Sequence, residues 1–302
     1  MDLSDLINRI GIKPSTKRNE ALDTYIENSN QKGEKLEILL SEFQRVTSDE
    51  SAPTFGGLWS REQVKGYYNY LDKNINYFDF DLADVVKLTG NEQLYKIIES
   101  DDNKNVKFGP FLSALINKNI KEGNKVQLIT SIPINYLFYK LENAEAYVNI
   151  AGKWLGSDAK NSKIYADKVG FAAGLNIERC ELHVKRAGNW LGCDAKNSKI
   201  YAEEAGNLAG NSMWDDELHV KKAGDYLGCD AKNSKIYAEE AGDGAGYYMK
   251  NSELFIYKLN GNLADSCFEG NNKIYLGEKS YKEFIQNYPK YINEVKLWKK
   301  QK

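Results

Sequence analysis

The chain is poor in the residues that most often carry chemistry. Among 302 residues there are two histidines (His183, His219) and four cysteines (Cys180, Cys193, Cys229, Cys267). The cysteines have neither CxxC spacing nor the density of a secreted disulfide scaffold, which points to a reducing compartment. No run approaches 18 apolar residues, and the start MDLSDLINRIGIKPSTKRNE is acidic and soon polar, unlike a signal peptide. The expectation is a soluble, cytoplasmic protein without a membrane partner. Charge is nearly balanced, 41 Lys+Arg against 43 Asp+Glu, so no global field favours nucleic acid or a membrane surface. Neither GxxxxGK[ST] nor a strand–GxGxxG–helix unit occurs, so no phosphate loop and no cofactor are expected.

What is present is repetition. DAKNSKIYA stands at 158–166, 194–202 and 230–238, a spacing of 36. Each 36-residue unit divides into two related halves, AGNWLGCDAKNSKIYAEE (187–204) and AGNLAGNSMWDDELHVKK (205–222). The basic unit is therefore 18 residues, with rungs 1 to 7 starting at 133, 151, 169, 187, 205, 223 and 241 and a degenerate rung 8 over about 259–276. Positions 13–17 of a rung alternate strictly. In rung 4, Ile200 and Ala202 face one way and Lys199, Tyr201 and Glu203 the other, the period of a half-buried strand. Asn-Ser precedes the strand and glycines occupy positions 2 and 6, as in Gly188 and Gly192; these columns read as corners at which φ is positive. A short strand cannot bury its apolar face alone, whereas stacked identical rungs can, so the expected fold is a β-solenoid. A helical repeat would carry two or three glycines per rung at roughly 1 kcal/mol each, with no apolar stripe to offset them.

The doubling to 36 has a physical reason. Position 13 runs Lys163, Glu181, Lys199, Glu217, Lys235, Glu253, and positions 17–18 alternate in a similar way. In a parallel stack such columns are about 4.8 Å apart, where unlike charges help and like charges hurt. Positions 5 and 9 carry one large and one small residue that exchange in the next rung: Leu155/Ala159, Ala173/Ile177, Leu191/Ala195, Ala209/Met213. Each rung thus requires neighbours of the other type.

Residues 1–125 lack the period and contain helix-compatible segments at 4–11, 34–47, 60–75, 81–100 and 110–120, with SREQ (60–63) as a capping box. KVQLIT (125–130) is expected to start the sheet, giving a helical domain over 1–125, a solenoid of about eight rungs over 126–276 and a helical cap over 277–302. The cap is read as a helix interrupted near Pro289 with a solvated basic end, Lys296 to Lys302. An open solenoid end is an exposed sheet edge, which gives both caps a mechanical role.

Position 15 holds an outward aromatic column, Tyr147, Tyr165, His183, Tyr201, His219, Tyr237, Phe255 and Tyr275. Its two histidines are two rungs, ~9.6 Å, apart, too far to share a metal, and Cys193 and Cys229 are equally too far apart for a disulfide. Charge alternation accounts for the acidic residues and isolates no pair for acid–base work. Aromatics beside lysines can stack single-stranded nucleic acid, but carboxylates share this face, which disfavours that partner.

The register AG-x-x-x-G-x-x-M-K-N-S-x-L-x-I (241–256) resembles the GXGXG β-helix found at the C-terminus of the glutamate synthase large subunit and in one of the subunits of formylmethanofuran dehydrogenase. The resemblance covers about 133–276 and implies a right-handed single-chain β-helix with a structural, interdomain role. The family's Gly-Gly turn is Asn-Ser here, and residue 2 is Asp2 where the glutamine-hydrolysing enzyme needs a terminal cysteine. The sequence shows neither a flavin barrel nor an iron–sulfur cysteine cluster. The expectation is a non-catalytic interaction or scaffolding protein with a protein partner, and in second place an accessory subunit of a redox complex of that family. The face to test comprises Tyr165, His183, Tyr201, His219 and Tyr237 with Lys163, Glu181, Lys199 and Glu217.

Overall fold

The computed structural model describes residues 32–53, 60–75, 81–99, 102–120 and 125–298; the helix expected over 4–11 lies outside them. Among the described residues five helices precede the sheet: α1 (Lys32–Ser48), α2 (Arg61–Asn74), α3 (Leu82–Leu88), α4 (Glu92–Glu99) and α5 (Asp102–Asn119). A β-solenoid follows, built of ten parallel strands paired in chain order. They are β1 (Lys125–Leu128), β2 (Glu145–Ile150), β3 (Lys163–Val169), β4 (Glu181–Ala187), β5 (Lys199–Ala205), β6 (Glu217–Ala223), β7 (Lys235–Ala241), β8 (Glu253–Leu259), β9 (Lys273–Leu276) and β10 (Val295–Leu297), with α6 (Glu278–Asn287) between the last two.

The register follows the 18-residue frame residue by residue. Position 13 pairs Lys125, Glu145, Lys163, Glu181, Lys199, Glu217, Lys235, Glu253 and Lys273 in succession, so charge alternates through nine strands. Lys168 opposite Arg186 is a like-charged pair at position 18. Position 5 and 9 residues from Leu155 to Met249 are all buried, large beside small in each rung. Inter-rung bonding continues around the turns: the N–H of Trp154 donates forward to Phe171 O (2.8 Å), that of Gly156 back to Leu137 O (2.8 Å), and that of Asp158 forward to Leu175 O (3.0 Å). The turn backbone is thereby paired as a strand's would be.

The glycine columns differ from the expectation in one respect. Position 6 has positive φ, +67° at Gly192 and +69° at Gly228, but position 2 does not. Position 2 is glycine because the neighbouring rung lies directly on it. A Cβ on Gly224 would fall 2.2 Å from Asn207 Oδ1 and 2.9 Å from the carbonyl carbon of Gly206. The other left-handed residues sit at positions 4, 8 and 11, including Trp154, Trp190, Asp194 and Asn197. Of these, the asparagine corner alone matches the expectation.

Side-chain ladders supplement the backbone. At position 3, Asn189 Oδ1 accepts the Asn207 N–H (2.9 Å), Asn207 Oδ1 the Asp225 N–H (3.0 Å) and Asp225 Oδ1 the Asp243 N–H (2.9 Å). At position 12, Ser198 Oγ accepts the Cys180 N–H (3.1 Å) and Ser234 Oγ the Asp216 N–H (3.2 Å).

Both ends are covered. On α5, Asn105, Ser113 and Asn117 stand four or eight residues apart and meet the free edge of rung 1. Asn105 Nδ2 donates to Pro133 O, Ser113 Oγ accepts the Tyr139 N–H (3.0 Å), and Asn117 Nδ2 donates to Tyr139 O (3.1 Å). Gly109, in the same row, lies against the carbonyl of Asn135. This helix begins at Asp102 and runs through Pro110, eight residues earlier than the expected 110–120. The segment 81–100 is two helices, because Asn91 opens the second by accepting the Leu94 N–H (3.0 Å). The SREQ capping box is formed: Ser60 Oγ accepts the Gln63 N–H and Gln63 Oε1 the Ser60 N–H. At the other end α6 packs Phe284 over Phe268 (6.0 Å). The expected continuation of helix past Pro289 is instead a 3₁₀ turn followed by β10, where Val295 pairs with Ile274 and extends the sheet. The alternation of VKL suits a strand, and Pro289 blocks the helix.

Candidate functional site

Two long faces of the solenoid carry candidate side chains. The strand face holds the residues picked out from the sequence, which the structure brings together in one array. Rings at position 15 stack without a break from Tyr165 through His183, Tyr201, His219, Tyr237 and Phe255 to Tyr275, with centroids 4.4–5.2 Å apart. The parallel register forces this, since each ring repeats the one below. The column is less outward than expected: Tyr165 and His183 are buried, and Tyr201, His219 and Tyr237 are half-buried.

Charges flank the stack. Glu181 accepts Lys163 Nζ across the strands (3.0 Å) and lies 2.6 Å from His183 Nε2 within its own strand. Glu217 repeats the arrangement, 4.0 Å from Lys199 Nζ and 2.7 Å from His219 Nε2. Burial pushes the His183 pKa below its ordinary value despite Glu181 beside it. Burial opposes ionisation of Glu181 as well, but the bonds from His183 and Lys163 outweigh it and hold that carboxyl below the usual range. Burial, reinforced by the neighbouring glutamates, pushes Tyr165 and Tyr201 up to about 12. The array is a set of mutually satisfied groups in which Tyr165 and Tyr201 stay neutral at physiological pH.

The cysteines are free and buried. Burial pushes Cys193 and Cys229 up to about 12, far from the thiolate needed for nucleophilic or metal chemistry. Among the described residues no group of three or more His, Cys, Asp or Glu is arranged to hold a metal ion. Buried Asp216 takes the place of serine in the position-12 ladder. Its Oδ1 accepts the Ser198 N–H (2.5 Å) and its Oδ2 the Trp214 N–H (2.8 Å), while burial pushes its pKa up to about 7.

The turn face is a site that reasoning from strand alternation does not reach. It carries Trp190 and Tyr226 at position 4 and Tyr247 and Tyr248 at positions 7 and 8, exposed by 36, 43, 38 and 50%, and Trp214, 50% exposed, follows at position 10 of rung 5 in the bridge column next to it. The rings of Tyr226 and Tyr247 are 6.1 Å apart, edge to face. A signal for it exists in the sequence, because Trp154, Trp190 and Tyr226 recur every 36 residues at position 4. Nearer the N-terminus the same face is covered. Tyr136 and Tyr139 are 3% and 1% exposed, Tyr68 of α2 packs edge-on to Tyr139 (5.1 Å), and Arg61 at the start of α2 forms an ion pair with Asp158 in rung 2.

No family model, no curated protein and no solved structure matches this chain.

Proposed function

We propose that the protein is a non-catalytic interaction module, a rigid solenoid that presents fixed side chains to a protein partner. The observation that carries this reading is the group of exposed aromatics on the turn face and the bridge column next to it, Trp190, Trp214, Tyr226, Tyr247 and Tyr248. Large aromatic side chains exposed together on a rigid frame are characteristic of binding surfaces, where they contribute contact area at small entropic cost. The ionisable groups of the strand face support the reading from another side, because Glu181 and Glu217 are bonded to lysines and histidines of the same array. The alternation of lysine and glutamate favours a protein over a polyanion as partner.

The test is photo-crosslinking in the native cell, with a photoreactive amino acid at Trp214 beside the turn face and, in a second strain, at Tyr237 on the strand face. The reading expects a discrete protein adduct at one of them, strongest at Trp214. Absence of any protein adduct from both positions contradicts it.

A further inference from the structure

The molecule itself displays what its turn face accepts. Position 8 is a left-handed corner occupied by Asp158, Asp194 and Asp230 in rungs 2, 4 and 6, at φ of 59°, 56° and 54°. In rung 2 the aspartate holds the guanidinium of Arg61, the first residue of α2, while Tyr68, two helical turns further on, packs against Tyr139 at position 7 of rung 1. An arginine followed by an aromatic on one helix thus covers the first part of this wall. Beyond rung 2 the wall continues in the same register, and among the described residues no helix is hydrogen-bonded or ion-paired to it. Among the described residues the side chains of Asp194 and Asp230 accept the thiols of Cys193 (3.5 Å) and Cys229 (3.4 Å) and join no ion pair, although Asp194 lies near enough to Arg61 to help raise that guanidinium's pKa. The exposed aromatics begin here: Trp190 and Tyr226 stand four residues before the two aspartates, and Trp214 lies in the rung between. Within the position-4 column exposure therefore rises where the helical cover ends, from 3% at Tyr136 to 36% at Trp190 and 43% at Tyr226.

Resting on the reading of this face as an interaction surface, we propose that the wall from Asp194 to Asp230 docks an amphipathic helix of a protein partner that sets a guanidinium on each aspartate and its apolar side on Trp190 and Tyr226. Spacing supports a helix. Two rungs span ~9.6 Å and seven residues of α-helix ~10.5 Å, so arginines at i and i+7 on a helix lying along the solenoid axis meet both carboxylates. Arginine fits because its planar guanidinium pairs with carboxylate and also lies well against aromatic rings. Lys196 and Lys232 stand at position 10 of the same rungs, whereas rung 5 has Trp214 there. An acidic residue at either end of the partner helix complements those lysines.

The experiment uses the full chain and a fluorescein-labelled, lactam-stabilised helical peptide with arginines at i and i+7 and leucines at i+3 and i+4. A matched peptide carries glutamine in place of both arginines. Binding is followed by anisotropy for the wild type and for Asp194→Asn/Asp230→Asn, which keeps residues that tolerate the left-handed corner. The expected result is saturable binding of the arginine peptide, at least tenfold tighter than the glutamine peptide and at least tenfold weaker to the double variant, with circular dichroism and Tm unchanged. Equal affinity of the two peptides, undiminished binding to the double variant or no binding at all overturns the proposal. So does a dimer in sedimentation velocity that the double variant dissociates, since the occupant is then a second copy. A protein adduct at Tyr237 in the crosslinking experiment, combined with failure here, leaves the interaction module standing and removes only this surface.

Discussion

The amide oxygen of Asn207 accepts the N–H of Asp225 at 3.0 Å and occupies the space that a Cβ on Gly224 would need, 2.2 Å from it. One contact thus links the position-3 Asn/Asp ladder to the glycines above it, whereas at Gly170 and Gly188 the carbonyl group of the glycine one rung below fills the same space. Gly224→Ala must displace both the Asn207 side chain and the backbone of Gly206, 2.9 Å away. The expected cost is roughly 1–3 kcal/mol, seen as a fall in Tm by circular dichroism. An unchanged Tm means that rung spacing is softer than the contacts imply.

Asp216 makes stability depend on pH in the direction opposite to acid denaturation. Its pKa rises from 3.8 to about 7 on folding, so between those values the native state holds a proton that the unfolded state has released. Stability from this group is full at low pH, falls as pH rises through that interval and stays lost above it, a change of at most roughly 4 kcal/mol. Asp216→Ser restores the hydroxyl that Ser234 and Ser252 supply in their rungs. It is expected to raise the denaturation midpoint at pH 8 more than at pH 4; an equal effect at both contradicts the account.

His183 works the other way. Its pKa is lowered by burial, so below about pH 6.5 the unfolded state takes up the proton first and stability is lost as pH falls. His183→Tyr, the residue of the adjacent strands, is expected to flatten stability between pH 5 and about 7. An NMR titration of wild type that puts the His183 pKa at or above the value of a free histidine contradicts this.

Ser113 is the central polar residue of the cap helix, its hydroxyl accepting the Tyr139 N–H and donating to Gly109 O (2.7 Å). Ser113→Val leaves a buried N–H without its acceptor at the edge of rung 1, at an expected cost of about 1–3 kcal/mol. Amide exchange should then quicken first at Tyr139, ahead of strands β4 to β7; uniform exchange across the solenoid contradicts a local capping role.

These ladders mark the limit of what the sequence makes legible. Strands can be placed almost to the residue, because Ile200 and Ala202 alternate with Lys199 and Tyr201 and because burial has the same period. The roles of Asn207, Ser198 and Gly224 cannot be read, since each depends on an atom 17 or 18 residues away whose nearness exists only once the rungs are stacked. The left-handed conformation of Trp190 is likewise hidden: a bulky residue is disfavoured there, and the inter-rung bonds on both sides hold it in place. Pro110 masks the first two turns of α5 and Pro289 the strand beyond it, one by sitting inside a helix and the other by separating two short elements. As for the site, the strand-face residues stand together as expected, because alternation alone assigns them to one face. The turn aromatics have no such alternation; the 36-residue recurrence of Trp154, Trp190 and Tyr226 marks a column, but which side of the coil it faces emerges only from the coil geometry.

The two-rung, 36-residue unit specifies the fold, and deletion of one rung or of two distinguishes it from an 18-residue unit. Removing 187–222 sets Glu181 opposite Lys235 and the Ala173/Ile177 rung against Leu227/Ala231, preserving both alternations. Removing 187–204 sets Glu181 opposite Glu217, Lys185 opposite Lys221 and Ile177 against Met213. Since stability in a solenoid is a sum of nearest-neighbour interfaces, the measurement is the thermal denaturation midpoint of the two shortened chains. The 36-residue deletion is expected to melt cooperatively close to wild type, whereas the 18-residue deletion, although it retains more rungs, melts well below it; equal stability of the two shortened chains shows that the two-rung unit does not specify the fold.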